Sequence, residues 1–152
     1  MSYEIVVETS EARPLAAVRR RVRIGDVSAS WKAPLDQVWA FLRHHPGLWT
    51  DGHNIFLYHH PARRDEPMDV DFGVEVIGSF EGDGDVGPVS TPAGTVVSTV
   101  HDGPISLIRG AHDAIHEWSA AHGRTIGDSS WEIYGDPSDD GTFEVQVVYL
   151  LA

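Results

Sequence analysis

HDGPISLIRGAHDAIHEWSAAHGRTIGDSSWEIY, residues 101–134, decides the fold. The stretch carries the end of a strand, a Gly-Pro turn, an amphipathic helix, a loop and a second strand. Ile105, Ile108, Ala111, His112, Ile115 and Trp118 or Ser119 recur at helical spacing, which predicts a helix over 105–122 with those side chains inward. Gly123 stands where a helix C-cap glycine belongs. In the closing strand, Glu132 and Tyr134 share one face and Trp131 and Ile133 the other, because side chains alternate along a strand. Either face could be the buried one. If it is the Glu132 face, a carboxylate sits in an apolar wall and needs a partner. A bound ligand is one such partner.

Working outward, 95–101 and 129–134 are the strands flanking the helix, and 143–151 (FEVQVVYLL) closes the sheet after a DPSDDG turn. Upstream, 3–9 (YEIVVET) is a strand, and 15–24 (LAAVRRRVRI) is a second strand or a continuation past Pro14, with Leu15–Arg20 also compatible with a helix. Residues 26–33 connect to a helix that starts near Pro34, whose inner face is Leu35, Val38, Trp39 and Leu42. His45-Pro46-Gly47 ends that helix, 54–59 and 70–77 are strands around a turn at 61–67, and 81–94 is a long surface loop.

The order strand, helix, strand, strand therefore occurs twice. IFLYHHP at 55–61 lies over WEIYGDP at 131–137, and FGVEV at 72–76 over FEVQV at 143–147. The fold expected is α+β: repeat one over 3–80, a linker over 81–94 and repeat two over 95–152. The repeats pair about a pseudo-twofold, with two main helices each covering one side of a joint antiparallel sheet. Phe56 in the first repeat matches Glu132 in the second. Symmetry then brings Phe56, Tyr58, Glu132 and Tyr134 to one central cleft, mostly apolar with a few placed polar groups, a common form of small-molecule site.

Composition narrows the function. A chain of 152 residues suits one domain with a sizeable core. The net charge of −12 argues against direct nucleic-acid binding, and the cluster Arg19, Arg20, Arg21 and Arg23 reads as a solvated strand face. The absence of cysteine removes disulfides, thiol nucleophiles and Cys-ligated zinc. No apolar run is long enough to span a membrane, and the N-terminus lacks a signal-peptide pattern, so the expected location is the cytoplasm. His112 and His116 have the i, i+4 spacing of helical zinc ligands, but Asp113 stands where the motif needs glutamate, and one cleft histidine among solvated ones is the simpler account. No metal or cofactor is expected, and no P-loop, dinucleotide fingerprint or serine triad stands out.

The chain resembles the GyrI-like small-molecule-binding domain, also described as the AraC effector-binding domain superfamily, over nearly its whole length. The motifs that carry the resemblance are PAG at 92–94 before a strand, HDGP at 101–104, Trp118 followed by His122-Gly123, WEIYGDP at 131–137, and DGHNIFLYHHP at 51–61. The resemblance implies a stand-alone domain that binds hydrophobic, often cationic, drug- or toxin-like compounds between two repeats, with Glu132 as the pocket glutamate and Tyr134 beside it. Phe56, Tyr58 and His112, with Trp39 and Trp118 at the rim, complete the expected binding set. Sequestration or detoxification would be the role. Some family members hydrolyse cyclopropane-bearing alkylators, which would make Glu132 and Tyr134 catalytic. Others dock onto proteins, and a partner of that kind is not named by the sequence. The chain departs from the family at Ile105 and His112, where aromatic residues are usual, at Val96-Val97, and in its YLLA end. A rival, the helix-grip fold suggested by SASWKAPLDQVWAFL at 28–42, requires a long C-terminal helix where the chain reads as a strand.

Overall fold

Runs of β-branched and aromatic residues build eight strands, and all eight join one antiparallel sheet. The computed structural model describes residues 3–49, 52–63, 65–137, 140 and 142–152, with only the backbone for Pro137 and Phe143. The strands are β1 (Val6–Ser10), β2 (Pro14–Val22), β3 (Asn54–His59), β4 (Met68–Glu75), β5 (Val86–Ser90), β6 (Gly94–Gly103), β7 (Ile126–Pro137) and β8 (Phe143–Leu151). The helices are α1 (Val27–Ser30), α2 (Lys32–Arg43) and α3 (Arg109–Ala121). None of the described helices is long and apolar enough to cross a membrane.

The sheet order is β1-β6-β8-β7-β3-β4-β2-β5. Exchanging β1 with β5, β2 with β6, β3 with β7 and β4 with β8 returns the same order read from the other edge. The repeat is therefore a true pseudo-twofold, and its axis lies between β3 and β7. Tyr58 faces Ser130 and Tyr134 faces Asn54, so the axis passes between the directly opposed Phe56 and Glu132. Each repeat also gives its first strand away: β1 pairs with β6 of the other repeat, and β5 pairs with β2.

That exchange corrects the linker expected over 81–94. Val86 and Val89 alternate within β5, an edge strand in which Pro88 is exposed, and an edge is where a residue without an N–H is tolerated. The second overlay of the repeat also needs correcting. Phe72 pairs with Phe56 and Val147 pairs with Glu132, so Val147, not Phe143, is the counterpart of Phe72. Alternating apolar strings match at any even offset, and β7 carries a register shift between Tyr134 and Pro137 that the sequence does not reveal. Residues 138, 139 and 141 of the predicted DPSDDG turn lie outside the described residues.

The two main helices, α2 and α3, lie on the same face of the sheet, not one on each side as expected. Leu35, Val38, Phe41 and Leu42 of α2 pack on Val70, Phe72 and Phe56. Ala111 and Ile115 of α3 pack on Val97, Val145, Val147 and Tyr149. Ile105, expected inward, is 40% exposed, because residues 105–107 form a 3-10 turn ahead of α3 and break its periodicity. Gly123 adopts φ +61 after α3, the left-handed C-cap that the sequence indicates.

The opposite face carries Leu15, Ala17, Ile55, Leu57, Val96, Trp131 and Val148, a cluster built from strand residues alone. Trp131 is 1% exposed there, so this face is covered as well. Gly73 marks one close approach: a Cβ at that position would lie 2.9 Å from the Ala16 carbonyl oxygen.

Candidate functional site

Glu132 lies on the axis, on the helix-covered face, and is 4% exposed. The Glu132 face of β7 is thus turned towards the helices. Trp131, on the other face, is buried as well, so the expected choice of one buried face is resolved by both being covered. One carboxylate oxygen, Oε1, accepts hydrogen bonds from the Tyr58 hydroxyl and, at 2.8 Å, from the Tyr134 hydroxyl. The other, Oε2, lies 2.7 Å from Nε2 of His112, which reaches across from α3. Phe56, opposite Glu132, packs 4.9 Å from Tyr134 and 6.4 Å from Trp31 between ring centroids.

Burial pushes the Glu132 carboxyl upward, but the His112 hydrogen bond and charge, with the two tyrosine hydroxyls, outweigh it and hold the carboxyl below the ordinary carboxylate range. An apolar wall alone would raise the carboxyl; here its neighbours are donors, and the balance turns downward. Tyr58 and Tyr134 are pushed upward by burial and by the adjacent negative charge, so both stay protonated and donate.

His112 extends the network. Its Nδ1 lies 2.7 Å from the Tyr149 hydroxyl on β8. Ser130 hydrogen-bonds to Tyr149 and lies 2.7 Å from Nε2 of His60. Burial lowers His60, which favours its neutral form. Tyr149, Ser130, His60 and Trp31 were not legible as site residues, because cross-strand register decides which side chains meet, and no sequence motif encodes register.

The other expected residues are spread more widely. Trp39 donates from Nε1 to Asn54, the residue opposite Tyr134, and stands edge-on to Trp49. Trp118 is not brought to Glu132. It stacks on His122 and lines a hollow of about 590 Å³ with Tyr3, Ile5, Asp113 and Glu117. A second hollow, about 260 Å³, lies on the back of the sheet beside Ile133 and Gln146. Neither of these two hollows is lined by Glu132, which is 4% exposed beneath its neighbours. Among the described residues, no group of three or more His, Asp or Glu side chains could hold a metal ion. The arrangement offers an ionised, desolvated carboxylate framed by aromatic rings at the seam of two repeats.

A family model for the GyrI-like small molecule binding domain matches residues 3–149. The chain belongs to the GyrI-like family. Solved structures agree on the fold. The EcmrR C-terminal domain superposes on this GyrI-like domain with a TM-score of 0.81 at 22% identity, covering 100% of this chain and 99% of that one. SAV2435 bound to tetraphenylphosphonium gives a TM-score of 0.66 at 12% identity, covering 100% of this chain and 94% of that one. A hydrolase from Listeria innocua gives 0.60 at 11% identity, covering 98% and 92%. No curated protein matches the chain in sequence.

Proposed function

We propose that this GyrI-like domain binds hydrophobic cations against Glu132, at the seam between its repeats, for sequestration or detoxification. One observation carries the proposal: a buried carboxylate, held ionised, sits on the twofold axis among Phe56, Tyr58 and Tyr134. A desolvated cation over such rings gains about 2 kcal/mol from the ring faces, besides its attraction to the carboxylate and the burial of its apolar surface. That SAV2435 was solved with tetraphenylphosphonium lends support from a protein of similar fold. The test is a titration of tetraphenylphosphonium followed by tryptophan quenching, with Trp31 near Phe56 as reporter. Glu132→Gln should weaken binding at least about tenfold, equivalent to about 1.4 kcal/mol. Equal affinity in the variant, or equal affinity for neutral and anionic aromatic dyes, would sink the proposal.

A second reading is hydrolysis of a strained electrophile, such as a cyclopropane conjugated to a dienone, with Glu132 activating water and Tyr134 supporting the leaving oxygen. It is motivated by the 2.8 Å contact between the Tyr134 hydroxyl and Glu132. The depressed carboxyl, with both oxygens already engaged, is a poor general base and favours binding over catalysis. Incubation with a cyclopropanoid alkylator, followed by mass spectrometry, separates the two. Multiple turnovers lost in Glu132→Gln would establish the enzyme, whereas intact compound recovered at one per protein would establish a binder.

A further inference from the structure

The carboxylate proposed to attract a cation is not vacant. His112 Nε2 lies 2.7 Å from Glu132 Oε2, and the imidazole occupies the side of the carboxylate that the tyrosines leave open. An approaching cation meets a carboxylate that already has a nitrogen donor. The side chain of His112 is 22% exposed, whereas that of Glu132 is 5% exposed, so the histidine is the member of the pair that solvent reaches.

We infer that His112 is an internal competitor of the ligand: a lipophilic cation reaches Glu132 only by displacing the His112 imidazole, and a proton leaves the site as it does so. This rests on the cation-binding proposal above. The balance is simple. Protonated His112 paired with ionised Glu132, plus a monocation, gives neutral His112, a Glu132–ligand pair and one proton released to water. The net charge within the site is the same before and after. That condition suits a buried location, where adding a second positive charge beside His112 would be repulsive.

Tyr149 equips His112 for the exchange. Its hydroxyl, 2.7 Å from Nδ1, can accept from the protonated ring or donate to the neutral one, so the imidazole is hydrogen-bonded in both states. Ser130 and His60 continue the chain behind Tyr149, which leaves the hydroxyl a partner when it turns.

Other titratable groups surround His112. On α3 these are His116, Asp113 and Arg109, which pairs with Asp113 at 3.9 Å. Glu132 and Tyr134 face it from β7, Tyr149 from β8, Tyr58 from β3 and His60 from just past the end of β3. His101 on β6 is held between the Tyr3 hydroxyl and the Pro104 carbonyl. Tyr58 and Tyr134 bond to Oε1 of Glu132, and His112 bonds to Oε2. The histidine thereby adds a requirement for charge and for pH.

The test uses tetraphenylphosphonium, a permanent cation that binds no proton itself. Calorimetry at one pH in phosphate and in Tris, whose ionisation enthalpies differ, counts protons released per cation bound. Wild type should release up to about one proton, and affinity should rise with pH by up to about tenfold per unit while the displaced proton is bound. His112→Gln keeps a donor for Oε2 and should bind without proton release, with a flat pH profile. His60→Gln and His116→Gln should retain the release. A ring-carbon NMR titration of wild type gives a readout that needs no variant: the His112 resonance should move to the neutral-imidazole position on addition of the cation. Binding without proton release, release retained in His112→Gln, or an unmoved His112 resonance overturns the exchange while leaving cation binding intact. No binding to wild type or His112→Gln at any pH overturns the cation-binding proposal, and the exchange with it.

Discussion

Asp71 is fully buried on the face of the sheet away from the helices, and it survives there as a charge because of two neighbours. His59 Nε2 lies 2.7 Å from Oδ2, and Arg19 donates from Nε to Oδ1 at 2.8 Å and from Nη2 to Oδ2 at 3.0 Å. Burial alone would raise the Asp71 carboxyl; the His59 and Arg19 hydrogen bonds and the charge of Arg19 turn the balance and hold it below its ordinary value. The sign of the pH effect follows. A carboxyl depressed in the folded state stabilises the fold above its unfolded pKa, about 3.9, and that contribution is lost as pH falls through the folded value. Glu132 adds a second loss in the same direction. Stability should therefore begin to fall as the pH drops through about 6.5, where the buried His60 would have to charge, and fall further below about pH 4, and Asp71→Asn should flatten that lower limb. Because Arg19 is half exposed and can turn to water, the cost of that variant at pH 7 is about 1–3 kcal/mol, measurable by urea denaturation. At the residue scale the sequence singles out a carboxylate but does not reveal its ionisation state. Glu132 stood out as an acid among aromatics, but its depressed pKa depends on His112 and Tyr58, which come from other elements.

The elements were mostly legible, since periodicity reports directly on which face is buried. Pro34, Leu35, Val38 and Leu42 are buried on α2, and β3 occupies the predicted span, Asn54–His59. What failed was register and edge structure. VGPVS falls within the expected loop because Gly and Pro punctuate it, yet as β5 it pairs with β2 over five residues. Gly73 illustrates a constraint that sits in the sheet and not in the string. It lies in β4 between Ala17 of β2 and Ile55 of β3, with the Ala16 carbonyl oxygen 2.9 Å and the Ala17 Cβ 3.0 Å from where a side chain would begin. Neither neighbour is the end of a flexible side chain, so the strands themselves must part. Gly73→Ala should destabilise the domain by about 1–3 kcal/mol, the cost of overpacking, although alanine is no worse a strand former than glycine. A thermal melt of the variant checks this; unchanged stability would mean that the back of the sheet yields more easily than its close packing implies.

The whole molecule is held as one unit by the exchange of lead strands. If each repeat were self-contained, the sheet would be two four-stranded halves meeting only at β3 and β7, where six residues pair with six. Instead β1, which leads the first repeat, pairs with β6 at one edge, and β5, which leads the second, pairs with β2 at the other. Each repeat therefore completes the other, and the Glu132 site belongs to both, with Tyr58 from the first and His112 and Tyr134 from the second. The apolar back of the sheet is likewise shared: Leu15, Ile55 and Leu57 join Trp131, Val148 and Val96 in one cluster. A chain divided between residues 80 and 81 should give two fragments that do not fold alone, because each loses an edge strand, half of its back cluster and its partner at the twofold. Mixed at equal concentration, they should recover the native spectrum, since the lead strands are already exchanged and no covalent link across the cut is needed to seat them. Circular dichroism of each fragment and of the mixture measures this. A cooperative melt from residues 1–80 alone would show that the first repeat is an independent domain and that the exchanged strands are dispensable. Recovery in the mixture should be impaired by Trp131→Ala, which at 1% exposure opens a cavity costing about 3–5 kcal/mol in the cluster the fragments must share.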